Sequence, residues 1–116
     1  MNNSSILIKV RKLATLIKYT YKNRKLLNEG IKKYKDEGVL PVNYNVKLIP
    51  LDNVTRWNST YKMIKTTLEL KRPLIYISKN TLNPDFINNI LNEFEWEVLT
   101  ELKTIFEIFV KPSVKL

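Results

Sequence analysis

Residues 52–64, DNVTRWNSTYKMI, gather an acid, an Arg-Trp pair and a run of small hydroxyl and amide side chains at the opening of one predicted helix. Asn58, Ser59 and Thr60 could offer hydrogen bonds to a phosphate, beside the free backbone N–H groups of a helix N-terminus. The same residue types more often satisfy the helix's own first-turn donors, so anion binding and capping both fit, with Asp52 and Thr55 as further caps. Trp57 lies four and seven residues before Tyr61 and Ile64, a spacing that would also make it the first core residue of its helix. A second candidate is the basic group Lys9, Arg11, Lys12, Lys18, Lys22, Arg24 and Lys25. Its charges could track a nucleic-acid backbone, or simply face water from the solvent side of two helices.

Other chemistries are excluded by what the 116 residues lack. With no Cys and no His, no disulfide forms, zinc-finger ligand sets are missing, and protease triads have no base. The acids Asp36, Glu37, Asp52, Asp85 and a glutamate-rich helix share no motif. No catalytic or metal-binding residue is therefore assigned, and no cofactor is expected. Residues 1–50 carry eleven Lys/Arg against three Asp/Glu, whereas residues 51–116 carry nine against eight. A basic half on a chain of net charge +9 favours a polyanionic partner, nucleic acid first; a solvated lysine-rich surface is the alternative. No apolar run nears the ~20 residues that cross a membrane, and the opening MNNSSILIKVRK is too quickly charged for a signal peptide. An intracellular chain without membrane contact is the expectation.

The elements that must position these groups are mainly helical, since two glycines and five prolines leave few tight turns for an all-β fold. A chain this size buries roughly 65% of its unfolded surface, enough for one core, and it reads as a single segment in three parts. Residues 5–36 form a basic helical part, either one bent helix or two. Its stripes are Ile6, Val10, Leu13, Ala14, Ile17 and then Leu26, Leu27, Ile31, Tyr34. Gly38 is a C-terminal cap and Pro41 bars continuation. Residues 42–54 form an extended connector, with at most one short strand near 46–49. Residues 55–110 hold the Arg-Trp helix, over 55–71 and ended or kinked by Pro73, a short apolar segment at 74–77, and helices over 85–91 and 93–110. Trp96, Phe106 and Phe109 are expected in the core, and the acidic first turn of the last helix suits its dipole.

The run from Asp52 to Ile64 resembles the Arg-Trp segment of hAT-superfamily transposases, of the hobo and Activator type. Asp52, Thr55, Arg56, Trp57, Asn58, Ser59, Thr60 and Tyr61 match as they stand, with Met63 and Ile64 as the hydrophobic pair. Upstream, Val10-Arg11-Lys12-Leu13 is similar to a further helix core of that family, and Thr20 with Arg24 is a looser match to its Ser-Arg step. Downstream, residues 93–96, Leu99, Leu102 and Phe109 follow its order of acids, Trp, Leu and Phe. The resemblance implies a small helical fragment of an RNase H-like transposase region, and a nuclear location. It also implies that the Asp, Asp and Glu that hold the metal ions belong to parts of the family's chain not represented in this segment. In that family the Arg-Trp pair sits near the transposon end, where the Trp can stack on an unpaired or flipped base and the Arg can hold a phosphate.

Two readings follow. In one, the chain is a truncated, catalytically inactive transposase fragment with weak residual DNA binding through Arg56, Trp57, Asn58, Lys9, Arg11, Lys12, Lys22, Arg24 and Lys25. In the other it is a helical structural or protein-interaction module without DNA binding, which self-associates or packs with the rest of a transposase. Both make it inert: supercoiled plasmid incubated with nuclease-free protein and magnesium or manganese should stay intact, and measurable nicking would overturn this.

Overall fold

The computed structural model describes residues 3–44, 48–51 and 57–110, and every regular element in them is a helix. These are α1 (Asn3–Tyr19), α2 (Tyr21–Asp36), α3 (Trp57–Glu69), α4 (Lys71–Asn80), α5 (Pro84–Asn89) and α6 (Glu93–Val110). The possible strand at 46–49 falls partly outside the described residues, and its described part, Leu48 and Ile49, is irregular. Asp52 and Thr55 lie outside them too.

Of the two options for residues 5–36, the chain takes two helices. Thr20 is extended (φ −126°, ψ 109°), between two tyrosines of modest helix propensity. The apolar stripes explain the break. In one unbroken helix the ten residues from Ile17 to Leu27 would turn the second stripe roughly 80° from the first. With a corner at Thr20, Ile6, Val10, Leu13, Ala14 and Ile17 are buried in one cluster with Leu27 and Ile31. α2 ends as the sequence predicts: Gly38 adopts φ 78°, its N–H reaches the Lys35 carbonyl at 3.1 Å and that of Val39 the Tyr34 carbonyl at 2.9 Å. That pair of bonds is a Schellman motif.

Residues 71–80 form a helix where the sequence suggests only a short apolar segment at 74–77. Pro73 ends α3 as expected: it has no N–H for the Glu69 carbonyl four residues back, and α3 stops at Glu69. The break falls at Leu70 (φ −95°, ψ 14°), and Pro73 then sits in the first turn of α4, where an N–H would have no intrahelical acceptor. α4 packs on α2, and Gly30 permits the approach: a Cβ there would lie 3.2 Å from the Cα of Pro73 and from a ring carbon of Tyr76. The glycine that costs α2 about 1 kcal/mol of helix propensity thus admits its neighbour.

α3 packs on α6, and the Tyr61 hydroxyl donates to Glu107 Oε2 at 2.9 Å. The connector is tied down by Tyr44, whose hydroxyl donates to Glu69 Oε1 at 3.1 Å. Burial, then the charge of Glu69 and that hydrogen bond, push the Tyr44 phenol far above its ordinary range.

α1 meets α6 through an ion pair whose acid is buried. Glu95 is 0% exposed and accepts Lys9 Nζ at 2.8 and 3.0 Å. The same carboxylate accepts the Asn92 N–H at 3.0 Å, while the Asn92 side chain accepts the Glu95 N–H at 2.7 Å. This is a capping box with Asn in the hydroxyl position. Burial pushes the Glu95 carboxyl up, but the hydrogen bonds from Lys9 and Asn92 and the charge of Lys9 outweigh it, and the group titrates below its ordinary 4.5. A depressed carboxyl stabilises the fold above its unfolded pKa, and that contribution fades as pH falls through the folded value. Lys9→Met should lower stability at neutral pH by about 2–4 kcal/mol, read by thermal melting. It should also flatten the loss of melting temperature that wild type shows below about pH 4.5. A variant that melts like wild type at both pH values would show that the pair carries no stability.

Candidate nucleic-acid interface

The corner at Thr20 brings the last turn of α1 and the first turn of α2 to one place. Lys12, Lys18, Lys22 and Lys25 are all exposed on these helices, and among the described residues none of the four is in an ion pair. Arg24 is half-buried; its guanidinium donates to the Lys18 carbonyl and lies 6.0 Å from the Tyr21 ring. Lys18 Nζ lies 5.3 Å from the Tyr19 ring. Both rings are open to solvent, 70% for Tyr19 and 69% for Tyr21.

Beside this corner runs a groove of about 600 Å³ between the start of α2 and residues 80–83, edged by Lys22 and Lys25. Its floor is fixed by polar contacts. Buried Asn23 donates to the Leu16 carbonyl at 3.4 Å and accepts from the Thr81 hydroxyl at 3.2 Å. That hydroxyl in turn accepts the Asn83 N–H at 3.1 Å. Glu29 also lines the groove and accepts from the Tyr76 hydroxyl at 3.5 Å.

The remaining expected site residues lie elsewhere. The Lys9 ammonium is held by Glu95, and Arg11 is half-buried and already engaged. Arg56 lies outside the described residues. Trp57 opens α3 and is 58% exposed, with Asn58 exposed next to it. A place in the core for Trp57 is thereby corrected: Tyr61 and Ile64 on its stripe are buried, while Trp57 caps the end of the α3–α6 pair. There its ring lies 5.1 Å from Phe106 and 5.2 Å, nearly parallel, from Phe109. Phe109 is likewise exposed, at 60%, against the expectation of a core position; Trp96 and Phe106 are buried.

Trp57 and the Lys9–Glu95 ion pair therefore sit at separate points along α6. Lys9 touches α6 at residue 95 and Trp57 touches it at 106 and 109, roughly 16–21 Å apart along a helix axis. Tyr19 and Tyr21 interrupt the apolar stripes on either side of them, and the sequence reading gives them no role. Two aromatics off the apolar face and flanked by cations are the signal by which they could have been found. Among the described residues no three His, Cys, Asp or Glu side chains gather to hold an ion. Nor is any helix among them long and apolar enough to cross a membrane.

Residues 2–105 match the family described as ZBED1 RNase-like helical domain. None of the curated proteins and none of the solved structures matches the chain.

Because Trp57 is exposed, Trp57→Ala should remove two ring contacts worth about 0.5–1.5 kcal/mol each and lower the melting temperature by several degrees. Trp96→Ala, in the core, should cost about 3–5 kcal/mol. Equal losses in the two variants would contradict the exposed placement of Trp57.

Proposed function

This chain belongs to the ZBED1 RNase-like helical domain family, a transposase-derived, hAT-related domain, and on that premise we propose that it is a DNA-binding helical module that performs no strand chemistry. The observation that carries the reading is the α1–α2 corner, where Lys18, Lys22 and Lys25 stand exposed, with Lys12 exposed about two turns back on α1, on the half of the chain that holds most of its positive charge. Such a surface is suited to the backbone of a duplex, whose bound counterions it would release. Kinship of the hobo and Activator kind, carried by the Arg-Trp run, and a nuclear location belong to the same proposal. So does a second contact at Trp57 and Asn58, with Arg56 beside them, near the end of the DNA.

One observation favours a different reading, a protein-interaction module. Trp57, Ile105, Ile108 and Phe109 are all exposed at one end of the α3–α6 pair, a grouping of apolar side chains that marks many interaction surfaces.

Titrating labelled duplex DNA at several salt concentrations separates the two. The DNA reading expects weak binding whose logarithm falls with log salt by roughly 0.9 per phosphate neutralised. The triple substitution Lys12→Ala, Lys22→Ala, Lys25→Ala should flatten that slope by roughly 2–3, and Trp57→Ala should leave it unchanged. No salt-dependent binding at micromolar protein and low ionic strength would remove the DNA reading and leave the interaction module.

A further inference from the structure

The groove at the α1–α2 corner is more specific than a patch of lysines needs to be. A duplex backbone asks for cations and nothing else, whereas this corner also presents two open aromatic rings. Tyr19 and Tyr21 flank Thr20, the residue at which the chain changes direction. Each ring has a cation near it, Lys18 or Arg24, and is still more than two-thirds exposed. Exposed rings of this kind gain nothing from the fold's own core.

We propose that this corner is a binding site for single-stranded DNA, in which Tyr19 and Tyr21 are stacking platforms for successive unpaired bases and Lys22 and Lys25 hold the phosphates between them. The proposal rests on the DNA reading above and adds the form of nucleic acid. Stacking on an aromatic is tolerant of base identity; the tyrosines, which flank the groove-lining Thr20 without lining the groove themselves, provide the contact area, and the adjoining groove provides shape. Leu82, almost wholly exposed at the groove's rim, offers an apolar edge to a base lying in it. On the same wall, Asn80 Oδ1 and Asn83 Nδ2 can meet a base edge, the other half of each amide being held by the Tyr76 carbonyl and the Asp85 N–H. The polar chain through Asn23 and Thr81 holds that wall against α2, so the groove is built before a ligand arrives. Glu29 is the opposing charge within it, and it confines the phosphates to the Lys22–Lys25 edge.

Affinity of the full chain for labelled oligo-dT, oligo-rU and a duplex of equal length, measured by fluorescence anisotropy, tests this. Tyr19→Ala with Tyr21→Ala should weaken oligo-dT binding at least tenfold and leave duplex binding and its salt slope as in wild type. Tyr19→Phe with Tyr21→Phe should restore oligo-dT binding, because stacking needs the ring and not the hydroxyl. Both tyrosines are exposed, so the melting temperature should not move, and a melting check excludes unfolding as the cause of a loss. Oligo-dT binding untouched by the alanine pair would overturn the site while leaving duplex binding, and with it the DNA reading, in place. An equal loss on oligo-dT and duplex would also overturn it, since stacking cannot act on paired bases. Tighter binding of oligo-rU than of oligo-dT would reassign the corner to RNA. Absence of binding to all three probes would remove the DNA reading itself.

Discussion

Glu95 is at once the third helical residue of α6, the closing member of a capping box and the counter-ion of a lysine in the first helix, with no contact to water. An ionised carboxylate taken out of water costs several kcal/mol unless it is fully hydrogen-bonded, and here Lys9 and the Asn92 N–H are the groups that make its burial tolerable. The arrangement fixes where α6 begins and which face it turns to α1. That face presents Trp96 and Leu99 to the core. The opposite end of α6 then carries Phe106 and Phe109 to the ring of Trp57. Through this ion pair the position of the exposed aromatic end and that of the basic helices are set in one frame.

The division of labour among the cations follows from the same frame. Lys9 is drawn inward by a buried acid, while Lys12, three residues on, faces solvent, as does Lys18. A helix turns about 100° per residue, so a run of lysines on α1 cannot all serve one surface. The corner at Thr20 overcomes this by starting a new helix with its own exposed face. Two short stripes of charge then meet at one edge, beside the groove.

Periodicity made much of the fold legible. The stripe from Ile6 to Ile17, the cap at Gly38 and the extent of α6 were all readable from spacing and residue type. What spacing could not tell was which end of a stripe another layer would cover. Trp57 and Phe109 keep the helical period of buried neighbours, yet they lie beyond the last packed layer and are exposed. Glu95 misled in the opposite sense, since an acid in a first turn reads as a dipole partner at the surface, and only a lysine 86 residues away in sequence explains its burial. The helix that follows Pro73 was not legible, because a proline that ends one helix can equally stand in the first turn of the next. At the candidate site the lysines of the α1–α2 corner were in view from the start. The groove was not, because its far wall comes from residues 80–83, which carry no charge pattern pointing to α2.

The separation of Lys9 from Glu95 has a consequence for the order in which the chain can assemble. At a ribosome adding roughly 5–20 residues each second, α1 emerges about 4–17 s before the acid that anchors it. During that interval α1 and α2 can meet across Thr20, because a one-residue link makes their closure nearly free of chain entropy. Much of the apolar face of α1, from Ile6 to Ile17, must nonetheless wait for α5 and α6. The nascent basic half is thus a helical hairpin with an uncovered hydrophobic side, the kind of surface that holding chaperones recognise, and its exposure ends only when the last helix arrives.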